Sequence, residues 1–148
     1  MTAKLEFPKL ILATIAAFVI LFFTVVGLQT TWFDYVARDY DKHLTEQVYV
    51  DAVVNQNANL VFYKKGCPYC EKGKIAVIDA AEKSPYPTFY IDVESEDGQV
   101  LVKKYQVKHA ASIIKIRNGK STLYQYAIEK KPGQIEANQV TIKEAVGE

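Results

Sequence analysis

The sequence predicts an α/β domain with a mixed central sheet flanked by helices, preceded by one N-terminal transmembrane helix. Three observations predict this class. Short apolar runs alternate with helical patterns, which implies parallel strands joined by crossover helices. An Asn-Gly pair further along predicts a hairpin, which adds antiparallel strands. An uncharged stretch near the N-terminus is too uniformly apolar for a core helix of so small a domain.

The N-terminal apolar stretch predicts a membrane anchor over 10–31. No charged residue lies between Lys9 and Asp34, and the run 10–28 extends about 28 Å as a helix, close to the ~30 Å hydrocarbon core. Aromatic residues follow, as at a membrane interface: Trp32, Phe33 and Tyr35. We therefore expect a single-pass protein of the cell membrane.

The flanks of this stretch predict its processing and orientation. The residues at 25–27 offer a possible cleavage site. However, no clear A-x-A is present and the apolar run exceeds the usual ~7–15 residues of a signal core, which favours an uncleaved anchor. A slight excess of Lys and Arg before the span favours an inside N-terminus. The prediction is a cytoplasmic segment 1–9, a stalk 32–44 and a folded domain 45–148 outside the cytoplasm.

The first half of that domain predicts two helix–strand pairs. Thr45 is a candidate N-cap for the first helix, which ends in an Asn-rich turn. Pro68 suits the first position of the second helix because its missing N–H needs no partner there. Apolar, aromatic runs predict the strands. The elements are a helix at 45–57, a strand at 60–64, a helix at 68–82 and a strand at 88–93.

The second half predicts a helix, a hairpin and a closing helix. The hairpin turn has Asn118-Gly119 at its centre, a pair that favours positive φ angles. The flanking runs are apolar and β-branched, as in strands. The elements are a helix at 95–106, strands at 112–116 and 121–128, and a helix at 137–146.

Both cysteines of the chain lie in C-P-Y-C, between a predicted strand and a predicted helix. Cys67 is expected at the helix N-cap, where unpaired N–H groups and the helix dipole stabilise a thiolate. Lys64 and Lys65 are candidates for adding positive potential there. Cys70, one turn further, is expected to be less exposed and placed to attack a mixed disulfide on Cys67.

Other roles for the pair are less favoured by the residues. A zinc site usually needs four ligands, and the other good donors are His43 and His109 plus carboxylates. A structural disulfide would close too short a loop to constrain the unfolded chain much. The near-balanced net charge of +1 argues against nucleic-acid binding. We expect no metal or cofactor beyond a redox-active disulfide.

At this point a resemblance is clear. LVFYKKGCPYCEKGK, TFYIDVESED and KKYQVKHAASIIKIRNGK, followed by the closing helix, resemble in order the landmarks of the thioredoxin superfamily over roughly 45–148. The C-P-Y-C spacer is the one glutaredoxins use. With an anchor before it, the domain is similar to exported Gram-positive thiol–disulfide proteins, including the bacteriocin-transport accessory type.

The resemblance implies roles and partners. Cys67 would be the nucleophile and Cys70 the resolving thiol, with Pro68 and Tyr69 supporting the motif. The partners would be thiols and disulfides of exported proteins, together with a membrane redox partner that recycles the pair.

Three positions depart from the superfamily pattern. Val61 stands where thioredoxins carry a buried Asp, and Gly66 replaces the Trp that usually precedes the motif. Ala111, followed by Ser112, stands where the family places a cis-proline opposite the cysteines. A cis Ala110–Ala111 bond would cost ~3–4 kcal/mol. We therefore predict a trans bond and a remodelled substrate loop.

Three functions remain open on the sequence. The first is a membrane-tethered thiol–disulfide oxidoreductase acting on exported proteins, with His109 near Ala111 as a further candidate for stabilising the Cys67 thiolate. The second is a non-catalytic thioredoxin-like component of a membrane secretion or transfer complex. The third is a metal or iron–sulfur binder that shares Cys67 and Cys70 between two chains, in space opened by the missing proline.

Overall fold

A computed structural model describes residues 6–33, 38–51 and 57–147, which fall into two compact units, Met1–Ala37 and Arg38–Glu148. The first unit contains helix α1 (Glu6–Trp32). Its stretch Ile11–Trp32 is long and apolar enough to cross a membrane, as judged by length and composition. The helix predicted over 10–31 is therefore confirmed as a helix, while Tyr35 of the predicted aromatic group lies outside the described residues.

The hydroxyl groups within α1 are satisfied inside the helix. Thr14 Oγ1 donates to the carbonyl of Ile11, and Thr24 Oγ1 donates to the carbonyl of Leu21, each at 2.8 Å. A polar side chain that bonds its own helix needs no water, which suits an apolar surrounding.

The second unit contains the remaining helices and all six described strands. Its elements are α2 (Glu46–Asp51), β1 (Ala58–Tyr63), α3 (Pro68–Ala81), β2 (Thr88–Asp92), α4 (Glu96–Tyr105), β3 (Ser112–Arg117), β4 (Lys120–Gln125), β5 (Ala127–Lys131), β6 (Gln134–Ala137) and α5 (Gln139–Val146). Of the helix predicted over 45–57, residues 46–51 are helical and 52–56 lie outside the described residues.

Four strands form a mixed sheet in the order β2-β1-β3-β4. β1 pairs parallel with β2 and antiparallel with β3, and β3 pairs antiparallel with β4. Every residue of β1 is buried because helices cover both faces of the sheet. The strand leads from this buried centre directly into the cysteine turn, which gives the turn a rigid base.

Two hydrophobic clusters occupy the two faces of the sheet. One joins the sheet to α3 and α5, through residues such as Val77 and Ile142. The other joins it to α2 and α4, through Tyr49 and Leu101. The predicted class, a mixed central sheet with helices on both faces, is confirmed.

The C-terminal part differs from the prediction of one strand over 121–128. Tyr126 interrupts that run: its side chain is fully buried and its N–H donates to the carbonyl of Ala111. The chain continues as β5, which forms a separate hairpin with β6 against α3. α5 then begins at Gln139 rather than 137, with Asn138 as its N-cap.

The segment 38–44, predicted as part of a stalk, belongs to the second unit. Tyr40 is only 2% exposed and lies in the cluster with α3. The N–H of Tyr90 donates to the carbonyl of Leu44, and Thr45 forms a parallel bridge with Tyr90. This segment therefore lines the outer edge of β2, so the folded unit starts earlier than the predicted boundary at 45.

Candidate active site

Cys67 is the N-cap residue of α3, as predicted. The chain leaves β1 at Tyr63 and turns at Gly66, which has a φ of 72° that few other residues adopt without strain. The Cys67 sulfur accepts a hydrogen bond from the backbone N–H of Cys70 at 3.4 Å. Both cysteines are free thiols, and Cys67 is partly exposed. The sulfur of Cys67 is thus held at the positive end of a helix and open to solvent.

Cys70 differs sharply from Cys67 because it is fully buried. Burial raises the pKa of the Cys70 thiol to about 12, and its hydrogen bond with Cys67 acts in the same direction. The nearby backbone of Lys64 and the hydroxyl of Tyr126 act to lower that pKa, because both favour the thiolate. The turn therefore presents one accessible sulfur backed by a protonated, shielded one.

Two buried tyrosines lie behind Cys70, and no sequence motif predicts either of them. The hydroxyl of Tyr40 donates to the carbonyl of Cys70 at 3.1 Å and lies 3.4 Å from the hydroxyl of Tyr126. The hydroxyl of Tyr126 donates to the carbonyl of Phe62 at 3.2 Å. The available signal was weak: each Tyr is one of ten in the chain.

The loop predicted to face the cysteines packs beside them. Ala111 is buried in the same cluster as Cys70, and Cys67 and Ala110 pack against that cluster. The described residues contain no cis peptide bond, so the predicted trans Ala110–Ala111 bond is confirmed. Ser112 Oγ donates to the carbonyl of His109 at 2.7 Å, which closes the loop tightly.

The two lysines expected to add positive potential at Cys67 each lie close to a carboxylate. Lys64 Nζ lies 2.9 Å from Glu94 Oε1, and Lys65 Nζ lies 3.9 Å from Asp41 Oδ2. Glu94 is the largest cause of a raised pKa at Lys64. His109 is exposed, and within the described ranges no hydrogen bond or ion pair joins its imidazole to Cys67.

The remaining motif positions lie as follows. Pro68 is the first helical residue and is exposed, and the hydroxyl of Tyr69 donates to Glu129 Oε2 at 3.2 Å, which ties the motif to β5. Val61 is fully buried in β1, in register with Tyr90 on one side and Ile113 on the other. The site therefore has no carboxylate at that position.

Lys74 is a buried cation close to the site that the sequence analysis did not single out. Its side chain is 3% exposed, and Nζ lies 3.3 Å from Glu71 Oε2 and 3.6 Å from Asp39 Oδ1. Residue 74 follows Cys70 by four positions, so the two share a helix face. That spacing was the signal available in the sequence.

A metal site requires several donor side chains that lie close together. Among the residues that the structure describes, no group of three or more His, Cys, Asp or Glu side chains has the spacing to hold a metal ion. The two cysteines stand as a pair, and the arrangement suits sulfur chemistry: nucleophilic attack by one thiolate and closure by a neighbouring thiol.

No family model matches the chain, and no curated protein matches it. A comparison with solved structures finds the solution structure of an uncharacterized thioredoxin-like protein from Clostridium perfringens. The two chains are 15% identical, with a TM-score of 0.46, over 66% of this chain and 76% of that chain. The order of strands in its sheet and the position of the cysteine pair at the start of α3 identify the fold of the chain as thioredoxin-like.

Proposed function

We propose that the chain is a membrane-tethered thiol–disulfide oxidoreductase that acts on exported proteins through Cys67 and Cys70. The observation that carries the proposal is the asymmetry of the pair. Cys67 is accessible at a helix N-cap, whereas Cys70 is buried and hydrogen-bonded to it through its backbone N–H. The thioredoxin-like fold and the close cysteine pair are consistent with a redox role in general.

The proposed reaction exchanges two electrons between two dithiol–disulfide pairs. In the oxidising direction a substrate thiolate attacks the Cys67 sulfur of the Cys67–Cys70 disulfide, and Cys70 leaves as a thiolate that takes up the proton lost by the substrate. A second substrate thiolate then attacks the mixed disulfide and releases Cys67. In the reducing direction the Cys67 thiolate attacks a substrate disulfide, and Cys70 displaces the substrate from Cys67.

The location is part of the proposal. Helix α1 has the length and composition of a membrane span, and the positive residues before it favour an inside N-terminus. Cys67 would then face the outside of the cell membrane, where disulfides persist. A membrane redox partner would recycle the pair, and neither nucleic acid nor a further cofactor takes part.

A trapping experiment tests the catalytic role. In Cys70→Ser the mixed disulfide on Cys67 has no resolving thiol, so we expect substrate proteins to accumulate as adducts that dithiothreitol releases. Cys67→Ser is the matched control because it removes the nucleophile and should trap nothing. Equal adduct levels in both variants, or none in either, would contradict the proposal.

A complementation test separates this function from the alternatives. A non-catalytic component of a secretion complex would work equally well with both cysteines replaced by Ser, whereas the oxidoreductase would not. A binder that shares a metal or an iron–sulfur cluster between two chains would purify anaerobically as a coloured or metal-containing dimer.

Thiol trapping in intact cells tests location and direction together. Acid quench followed by alkylation reads whether Cys67 and Cys70 rest reduced or oxidised. A membrane-impermeant maleimide should modify Cys67 in reduced, intact cells. Modification only after lysis would contradict an extracytoplasmic site.

A further inference from the structure

We propose that Tyr126 is a positioning residue whose hydroxyl donates a hydrogen bond to the Cys70 sulfur when that sulfur becomes a thiolate. This inference rests on the proposed function, because it concerns the step in which the Cys67–Cys70 disulfide opens or closes. The inference assigns the stabilisation of the buried Cys70 thiolate to the phenol of Tyr126, in a site where Val61 provides no carboxylate.

The first step of the argument is that the Cys70 thiolate needs a donor from the protein. Cys70 is fully buried, so water does not reach its sulfur. A buried anion without hydrogen-bond donors is strongly disfavoured, and burial already opposes ionisation of this thiol. Val61, which lies in the same buried cluster, has an apolar side chain and offers no side-chain donor. The backbone of Lys64 favours the thiolate from one side, so a side-chain donor must come from elsewhere in the cluster.

The second step is that Tyr126 is held against the turn of α3 that contains Cys70. Its side chain is fully buried in the same cluster as Cys70. One edge of its ring fills the space beside Gly73, on the same helical turn as Cys70. Its backbone N–H is fixed to the carbonyl of Ala111 in the loop facing the cysteines. Tyr126 thus connects that loop to the helix.

The third step is that the hydroxyl of Tyr126 can redirect its proton. In the dithiol it donates to the carbonyl of Phe62 at 3.2 Å and faces the hydroxyl of Tyr40 at 3.4 Å. Its proximity to the Cys70 sulfur already acts to lower the pKa of that thiol, as a potential donor to the thiolate would. Burial, and then the nearby Tyr40, raise the pKa of Tyr126, so it remains a donor rather than a base.

The chemical step conserves atoms and electrons. A dithiol reagent's thiolate attacks the Cys67 sulfur, a new S–S bond forms, and the Cys67–Cys70 bond breaks with its electron pair left on Cys70. The Tyr126 hydroxyl donates to this thiolate while it forms. The thiolate then takes up the proton that the reagent thiol released, because its pKa is far above neutral pH.

The test is the rate at which dithiothreitol opens the disulfide of the oxidised full chain. Tyr126→Phe keeps the ring beside Gly73 and removes only the hydroxyl. We expect opening to slow about tenfold, as for the loss of a hydrogen bond to a charged group. Tyr124→Phe is the matched control, because its hydroxyl contacts Glu144 at the surface, and it should react like wild type.

A second measurement separates this role from a structural one. In a Cys70→Ala background with glutathione bound to Cys67, the leaving group is glutathione, so Tyr126→Phe should leave the rate of reduction unchanged. A rate within twofold of wild type in the first measurement, or an equal slowing in both, overturns the inference alone. A wild-type chain whose disulfide neither forms nor opens reversibly overturns the proposed function and the inference with it.

Discussion

The ring of Tyr126 occupies the space that a side chain on Gly73 would need. A Cβ atom at residue 73 would stand 2.6 Å from Cε2 of Tyr126 and would also overlap Cδ2. A glycine inside a helix normally weakens it by roughly 1 kcal/mol relative to Ala. Here the absence of a side chain lets the buried ring pack against the backbone of α3, on the same helical turn as Cys70.

Gly73→Ala should therefore destabilise the protein, although Ala is the better helix former. Overpacking typically costs about 1–3 kcal/mol and the helix propensity returns up to ~1, so we expect a net loss of up to about 2 kcal/mol in the free energy of unfolding. Urea unfolding of the reduced protein measures it. Lys72→Ala, at an exposed neighbour in α3, should change little.

A double-mutant cycle identifies the ring as the cause. In a Tyr126→Leu background the clash is absent, and Gly73→Ala should then be neutral or stabilising. The same loss in both backgrounds would show that the constraint at Gly73 comes from something other than Tyr126.

The buried thiol of Cys70 predicts a loss of stability in alkali. Its pKa is raised from the ordinary value of 9.0 to about 12, so between these values the folded state keeps a proton that the unfolded state releases. The unfolded state then binds fewer protons, and the free energy of unfolding falls as pH rises through this window. Well below the ordinary pKa of 9.0 the thiol is protonated in both states, so it adds no pH dependence to the free energy of unfolding.

The measurement is the pH slope of stability in the reduced protein. Buried tyrosines such as Tyr40 and Tyr126 act in the same direction, so the useful quantity is the difference between wild type and Cys70→Ala. We expect the wild type to fall more steeply by up to about 1 kcal/mol per pH unit within that window. Parallel slopes would mean that Cys70 is solvated in the folded state.

Arg117 should carry much of the stability at the end of the sheet far from the cysteine turn. Its guanidinium donates to the carbonyls of Ala58 and Gly147, to Asn59 Oδ1, and stacks 3.6 Å over the ring of Tyr86. It thereby joins β1, the segment before β2, and the end of α5. A lysine has neither the planar fork nor the stacking surface.

Arg117→Lys should lower the free energy of unfolding by about 1–3 kcal/mol, because buried acceptors lose their donors. Equilibrium unfolding in urea measures this loss. Lys120→Arg, at an exposed position of β4, serves as the reverse control and should be neutral. The rate of disulfide exchange per folded molecule should stay at the wild-type value, and a parallel loss would connect this network to the site.

Strand β1, the turn that follows it and the capping position of Cys67 could be predicted from local sequence, because each depends on residues within about one helical turn. Tyr126 could not, since its role depends on the break between β4 and β5 that turns it inward. Tyr40 follows an apolar helix and precedes a polar segment, so its local pattern favours a stalk. Only closure of the tertiary fold places both hydroxyls behind Cys70.

Substitutions at Lys74 test whether a buried charge near the site contributes to the free energy of unfolding. Its ammonium group is almost fully buried, while two of its partners, Asp39 and Glu71, remain close to half exposed. Removing the cation would leave those carboxylates solvated, so the usual penalty for an unpaired buried charge would not arise. Lys74→Met keeps the aliphatic volume and should change the free energy of unfolding by less than about 1 kcal/mol.

Lys74→Ala, in contrast, should cost about 2–3 kcal/mol, because it empties the space that the aliphatic stem fills. Urea unfolding of both variants gives the comparison, and the exposed Lys72 supplies the same two substitutions as controls. If Met and Ala destabilise equally, the charge itself stabilises the fold. If Met is tolerated yet disulfide exchange slows, the ammonium group acts on the cysteine pair one helical turn away rather than on the core.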